Sequence, residues 1–242
     1  MTASFIIDLF DGHLIFEHNG LKVLVDTGSP VTISKCRDFA FMGNQYPCLT
    51  NFLGKDISQL SSMMGYNIDV LMGLDLITEF FMMTDYQKKE ITFSTEEISF
   101  QPQCSVPIAF ENGMICVQLN VEGQSVNLVL DTGARISYID EAFTDGRPII
   151  ETREDFSPLM GIARFSTPIY SMQVSVENMS FPVNFGKLPL QIALMLKMMG
   201  VYGAIGYDLF NAFTVLMDFR NNQLLLKPVI RFQTSRVALE NN

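Results

Sequence analysis

The stretch LVDTGSP, Leu24 to Pro30, closes one apolar run, and 105 positions further on LVLDTGAR, Leu128 to Arg135, closes another. A single Asp-Thr-Gly at a strand end is ordinary turn chemistry. Glycine bends the backbone and presents N–H groups, threonine offers a hydroxyl that fastens the loop, and the carboxylate accepts. Two copies in one chain of 242 residues raise the question of whether Asp26 and Asp131 belong to one device.

The flanking sequence answers in favour of a pair. MMGYNIDVLMGLDLITEFFMMTDYQKKEITF, from Met63 to Phe93, aligns with MMGVYGAIGYDLFNAFTVLMDFRNNQLLL, from Met198 to Leu226. Gly73 then matches Gly206, Asp75 matches Asp208 and Asp85 matches Asp218, all at an offset of 133. Each block follows one Asp-Thr-Gly, so the chain reads as two versions of one unit. The expected halves are residues 1–100 and 101–242, joined where charge and two prolines interrupt the apolar pattern in STEEISFQPQCSVP, residues 94–107. They are unequal: 47 residues separate Asp26 from Gly73, and 75 separate Asp131 from Gly206.

Most of both halves reads as strand. HLIFEHNGLKVLVDTG and ICVQLNVEGQSVNLVLDTG are apolar runs folded about Asn-Gly and Glu-Gly, and TPIYSMQVSVENMSFPVNFG alternates on both sides of Glu177-Asn178. KDISQLSSMMG and LPLQIALMLKMMG read as helices, each stopped by a glycine. The expectation is a mostly β protein with one short helix per half.

Two similar units pack about a pseudo-two-fold axis, and their equivalent loops meet there. Two carboxylates brought together that way cannot both ionise easily, so they share a proton and divide the roles of acid and base. The motif order, apolar-apolar-Asp-Thr-Gly-Ser/Ala followed by apolar-apolar-Gly, resembles that of the pepsin and retropepsin aspartic proteases, and both halves carry it: VLVDTGSPVTI with VLMGLD, and LVLDTGARISYI with GAIGYD. The length resembles two retropepsin-sized units in tandem. The resemblance implies a bilobal, pseudo-symmetric acid-protease fold and an endopeptidase with Asp26 and Asp131 as the catalytic pair. Gly28 and Gly133 would present backbone donors to them, and Thr27 and Thr132 would interlock across the axis. Gly73 and Gly206 would admit a close strand crossing. Ser29 matches the position whose hydroxyl supports the neighbouring carboxylate, and Ala134 the form without one. No cofactor and no metal are implied.

The family closes over its substrate with a glycine-tipped flap. SPLMGIARFSTPIY in the second half holds the candidate tip, Met160, Gly161 and Ile162. The middle of the first half, SKCRDFAFMGNQYPCLTNFLGKD, lacks alternation and reads as loop with little strand. A protease-like peptide-binding or assembly module with little turnover is therefore the alternative reading. Either way the expected partner is an extended peptide or unfolded protein, bound by a monomer that is its own internal pseudo-dimer, with a homodimer as the other possibility.

Composition excludes other classes. Hydrophobic residues make up 48% of the chain and charged residues 17%, a globular rather than disordered balance. A net charge of -10 repels nucleic acid and anionic lipid. No apolar run approaches the roughly 18 to 20 residues that span a bilayer. Cys36, Cys48, Cys104 and Cys116 lack metal-ligand spacing and read as free thiols, with a Cys36–Cys48 bridge as the alternative. Free thiols and an N-terminus unlike a secretory signal favour a cytoplasmic address. His13 and His18, beside predicted turns, read as solvated surface. Arg135 is expected to pair with a structural acid, Asp208 by preference, and Asp75 and Asp208 are read as caps or turn formers.

Overall fold

The computed structural model describes residues 1–157 and 162–229, with the side chains of residues 157, 162 and 163 left aside. The fold is mostly β and two-lobed. Its centre is an antiparallel sheet of six strands in the order Thr2–Phe10, Glu90–Ser94, Phe81–Asp85, Phe213–Asp218, Gln223–Pro228, Cys104–Glu111. The middle contact pairs Met83 with Leu216. These two positions are separated by the same 133 residues that relate the sequence blocks, so the axis of the sheet runs between them.

Each lobe is built around an inner arrangement of one kind. Strand Leu21–Val25 runs parallel to Val70–Met72, and Ile33–Ser34 lies antiparallel on the far side of the latter. In the other lobe Gln124–Leu130 runs parallel to Gly203–Ile205, with Ser137–Ile139 antiparallel to it. These inner strands are apolar on both faces because both faces are covered: Val23, Val25, Val70, Met72, Leu128 and Leu130 are fully buried on one face, and the intervening Leu24, Leu71 and Val129 are buried on the other.

The hairpins fold where two-residue turns permit positive φ. Asn19-Gly20 joins His13–His18 to Leu21–Val25, Glu122-Gly123 joins Met114–Val121 to Gln124–Leu130, and Glu177 opens the turn between Ile162–Val176 and Met179–Lys187. Helix Ile57–Met64 starts on a reciprocal cap between Asp56 and Gln59 and stops at Gly65, whose φ of 75° suits a residue without a Cβ.

Three expectations change. Each lobe has two helices, not one, since Leu74–Ile77 and Tyr207–Ala212 follow directly on Gly73 and Gly206, and a 3-10 turn spans Glu141–Phe143. Helices of four and six residues are too short to show a 3.6-residue period. The middle of the first half is not plain loop: Asp38–Phe41 pairs with Asn44–Pro47, and Asn51–Phe52 with Lys55–Asp56. Asp38–Phe41 does alternate, with Phe39 and Phe41 buried and Phe41 packed edge-on against Phe80 and Phe93. Finally, His13 is buried, not solvated. All four cysteines are unbridged. Among the described residues no helix is long and apolar enough to cross a membrane.

Candidate active site

The two Asp-Thr-Gly loops meet between the lobes, and the same bonds hold each in place. The backbone N–H of Asp26 donates to the Met72 carbonyl and that of Asp131 to the Ile205 carbonyl, both at 3.0 Å. Leu74 N–H donates to Ser29, and Tyr207 N–H to Ala134. Behind each loop a strand passes so close that only glycine fits. A Cβ on Gly73 would lie 2.3 Å from the Val31 carbonyl oxygen, and one on Gly206 would lie 2.1 Å from that of Ala134. Asp75 and Asp208 are more than turn formers. Asp75 accepts from the Thr32 hydroxyl at 2.6 Å and Asp208 from that of Ser137 at 2.9 Å, while the two hydroxyls accept the N–H groups of Gly73 and Gly206.

Thr27 and Thr132 form the lock between the loops. Thr27 N–H donates to Thr132 Oγ1 at 3.0 Å and Thr132 N–H to Thr27 Oγ1 at 2.9 Å. Each hydroxyl donates onward across the interface, Thr27 to the Leu130 carbonyl and Thr132 to the Val25 carbonyl. Both residues are fully buried, so the four bonds are shielded from water.

The lock sets the carboxyls face to face. Gly28 N–H donates to Asp26 at 2.9 Å and Gly133 N–H to Asp131 at 2.8 Å. Each carboxyl also rests against the opposite loop: a Cβ on Gly28 would lie 2.6 Å from the Asp131 carboxyl carbon, and one on Gly133 would lie 2.6 Å from an Asp26 oxygen. The two side chains are within hydrogen-bonding reach of each other. They keep one face toward the cleft and are enclosed by protein elsewhere. Burial raises the pKa of Asp26, opposed by the N–H groups of Gly28 and Ser29. Burial raises that of Asp131 further, followed by the charge of Asp26. The pair therefore titrates as one unit and holds a proton well above the ordinary carboxylate range.

Ser29 departs from its expected role. Its hydroxyl donates to the Val31 carbonyl at 2.8 Å, within its own turn, and its backbone N–H serves Asp26. Ala134, without a hydroxyl, likewise contributes its N–H to Asp131. Arg135 does not pair with Asp208. It reaches across to Asp11 of the first lobe and to the Glu154 carbonyl, and its Nε donates to Asp155 at 2.9 Å. Asp155 also accepts from the Tyr138 hydroxyl at 2.6 Å. Asp208 is already occupied by Ser137 and the Asn184 N–H.

A cleft of about 250 Å³ opens over the dyad. Leu24, Ile33, Phe52, Leu60, Ile68 and Leu71 wall it on the first-lobe side, and Met114, Val129, Leu188, Ile192, Leu196 and Ala204 on the other. Each wall is the exposed edge of a small satellite core, so both flanks of the dyad are apolar. A third face is polar, formed by His13, Arg135, Tyr138 and Asp155 with Phe156 and Phe165. His13 reaches it because its hairpin tip crosses to the second lobe, where Gly12 packs on Arg135; in the same way Gly113 packs on Pro30 of the first lobe. Burial lowers the His13 pKa, partly opposed by Asp155 and Asp11, and among the described residues its Nδ1 finds no hydrogen-bond partner.

The turn at Leu53-Gly54 also overhangs the cleft, with Phe52, Leu53 and Lys55 in its lining. Sequence reasoning missed this hairpin, although Gly54 carried the signal. Of the candidate flap, Met160 and Gly161 lie outside the described residues. Ile162 starts a strand whose backbone pairs with Ser157, closing a hairpin with Glu151–Ser157. Among the described residues no cluster of side chains is arranged to hold a metal.

No family model and no curated protein sequence matches this chain. Among solved structures it is similar to the aspartic proteinase from Irpex lacteus, at a TM-score of 0.54 and 10% identity, over 98% of this chain and 99% of that one. At that identity the likeness is one of fold: the chain adopts a pepsin-like, two-lobed β architecture.

Proposed function

We propose that the protein is an aspartic endopeptidase, with Asp26 and Asp131 activating a water molecule between them. One observation carries the reading: the two carboxyls are each lodged against the other loop's glycine, in a site that favours one shared proton. Burying two like charges is costly, and a scaffold has no use for it.

The chemistry follows from the proton count. A water seated between the carboxyls loses a proton to the ionised one, and its oxygen bonds to the carbonyl carbon of a peptide. The protonated carboxyl gives its proton to the carbonyl oxygen, leaving a neutral tetrahedral diol. Collapse then breaks the C–N bond, as one carboxyl protonates the nitrogen and the other recovers a proton from the diol. Water is the only co-reactant consumed. The substrate lies extended through the cleft, its side chains flanking the scissile bond set against the two apolar walls. In this reading the units are retropepsin-like halves fused in tandem, and the Leu53-Gly54 turn helps to cover the cleft.

The test is hydrolysis of a mixed peptide library from about pH 3 to 7, the span in which carboxyl pairs titrate, by the parent and by Asp26→Asn and Asp131→Asn. The reading requires cleavage by the parent and its loss in both variants. Cleavage that survives either substitution removes the dyad mechanism, and binding without cleavage by the parent leaves a peptide-binding module.

A further inference from the structure

The helix Leu190–Met198 has two apolar faces, and the cleft uses one of them. Ile192, Met195 and Leu196 line the cleft, and Ala193 and Leu196 are buried against the lobe. At four-residue steps along another face, Leu190, Leu194 and Met198 are 67%, 54% and 90% exposed. In an α-helix such residues form one stripe. Amphipathic surface helices carry polar residues there, but this helix has only Gln191 and Lys197, and Lys197 is drawn to the far edge by Asp140 at 3.2 Å. The bare stripe is continuous with the cleft: Met195, which lines the cleft, is itself 42% exposed and lies three residues, one helical turn, before Met198 of the stripe.

We infer that this stripe is an exosite for apolar residues of the same extended polypeptide whose scissile bond lies over Asp26 and Asp131. The inference rests on the peptidase reading and narrows its substrate to chains with an apolar segment beyond the residues held in the cleft. Continuity with the cleft favours this occupant. Against a second copy, the stripe and the adjoining Met195 present four side chains where a stable interface uses roughly 20 to 30 residues a side, and a net charge of -10 repels a like molecule. That charge also opposes anionic lipid.

The test compares a short peptide taken from the library with the same peptide extended at either end by four Leu/Ile residues or by four Ser/Gln residues. The enzymes are the parent and the triple variant Leu190→Gln, Leu194→Gln, Met198→Gln, which alters only exposed positions and keeps good helix formers. With the parent, the apolar extension at one end lowers KM about tenfold or more at unchanged kcat, as uniform binding of a few newly buried side chains does. The variant loses that gain and cleaves the short peptide as the parent does. An extension that brings no gain, or a gain that survives in the variant, overturns the proposal. So does a stripe needed for self-association in light scattering, or for flotation with phosphatidylcholine vesicles. Should the parent cleave nothing, the peptidase reading fails on its own. Fluorescence anisotropy of the labelled peptides then still decides the exosite: preference for the apolar extension in the parent alone upholds it, and equal binding removes it.

Discussion

Replacing Thr27 by valine keeps the shape of the side chain and removes its hydroxyl. Two interactions go with it: the donation to the Leu130 carbonyl, at 2.7 Å, and the acceptance of the Thr132 N–H, at 2.9 Å. Thr27 and Thr132 are at most 1% exposed, so water does not substitute for the lost partner. At about 1 to 3 kcal/mol for each buried group left unsatisfied, Thr27→Val costs about 2 to 6 kcal/mol. Thr132→Val costs the same by symmetry, since it strands the Val25 carbonyl and the Thr27 N–H. Whole domains are stable by about 5 to 15 kcal/mol, so each single variant loses a large share of that stability and the double variant, at about 4 to 12 kcal/mol, loses most of it. Thr27→Ser is the control. It keeps both bonds and loses one methyl, for about 1 kcal/mol. The assay is urea unfolding followed by far-UV circular dichroism, because the chain has no tryptophan. A Thr27→Val variant within about 0.5 kcal/mol of the parent, or equal to Thr27→Ser, would refute the lock, since a stranded pair costs far more than a methyl.

Other substitutions probe the electrostatics. Because the dyad's pKa values are raised, its contribution favours the folded state at low pH and is lost as pH rises through the folded values. Asp26→Asn or Asp131→Asn therefore raises Tm at pH 7, with a gain that shrinks toward pH 4; a lower Tm at pH 7 would contradict the raised pair. His13 has the opposite sign: its lowered pKa makes its contribution complete above the ordinary value of about 6.5 and lost as pH falls below that. His13→Gln flattens the decline in stability between pH 7 and 5, and a slope equal to the parent's would show that His13 is not held neutral by burial. Arg135→Ala leaves Asp155 buried with, among the described residues, the Tyr138 hydroxyl and the Phe156 N–H, and costs about 1 to 3 kcal/mol in urea unfolding. A cost near zero would show that the ion pairs with Asp155 and Asp11 are idle.

The frame of the protein was legible because its signals are local. Asn19-Gly20 and Glu122-Gly123 mark turns whose backbone geometry few other pairs adopt, and the paired Asp-Thr-Gly and apolar-apolar-Gly segments fix which loops are equivalent. What stayed hidden depends on non-local packing. Met42-Gly43 and Leu53-Gly54 turn in the same way, yet methionine and leucine at φ of 50° and 51° are held there by context, not by preference. Phe39 and Phe41 supply that context for the first by entering an aromatic core built from distant strands. The burial of His13 follows from a hairpin tip crossing onto Arg135 of the other lobe, a contact no sequence spacing announces. Arg135 had several acids to choose from. It takes Asp155, inside the second half's long insertion, because Ser137 and Asn184 already hold Asp208. The role of Asp75 and Asp208 was within reach, since each recurs with a hydroxyl residue, Thr32 or Ser137, four positions after its loop's glycine.

The most direct measurement is a carbon-13 NMR titration of the aspartate carboxyls in the parent and in the two single Asn variants. Coupling between residues 26 and 131 predicts two steps spread far apart, with the upper step well above 3.8, and its disappearance when either partner becomes asparagine. Two carboxyls that titrate singly near the ordinary aspartate value, each indifferent to substitution of the other, would contradict it.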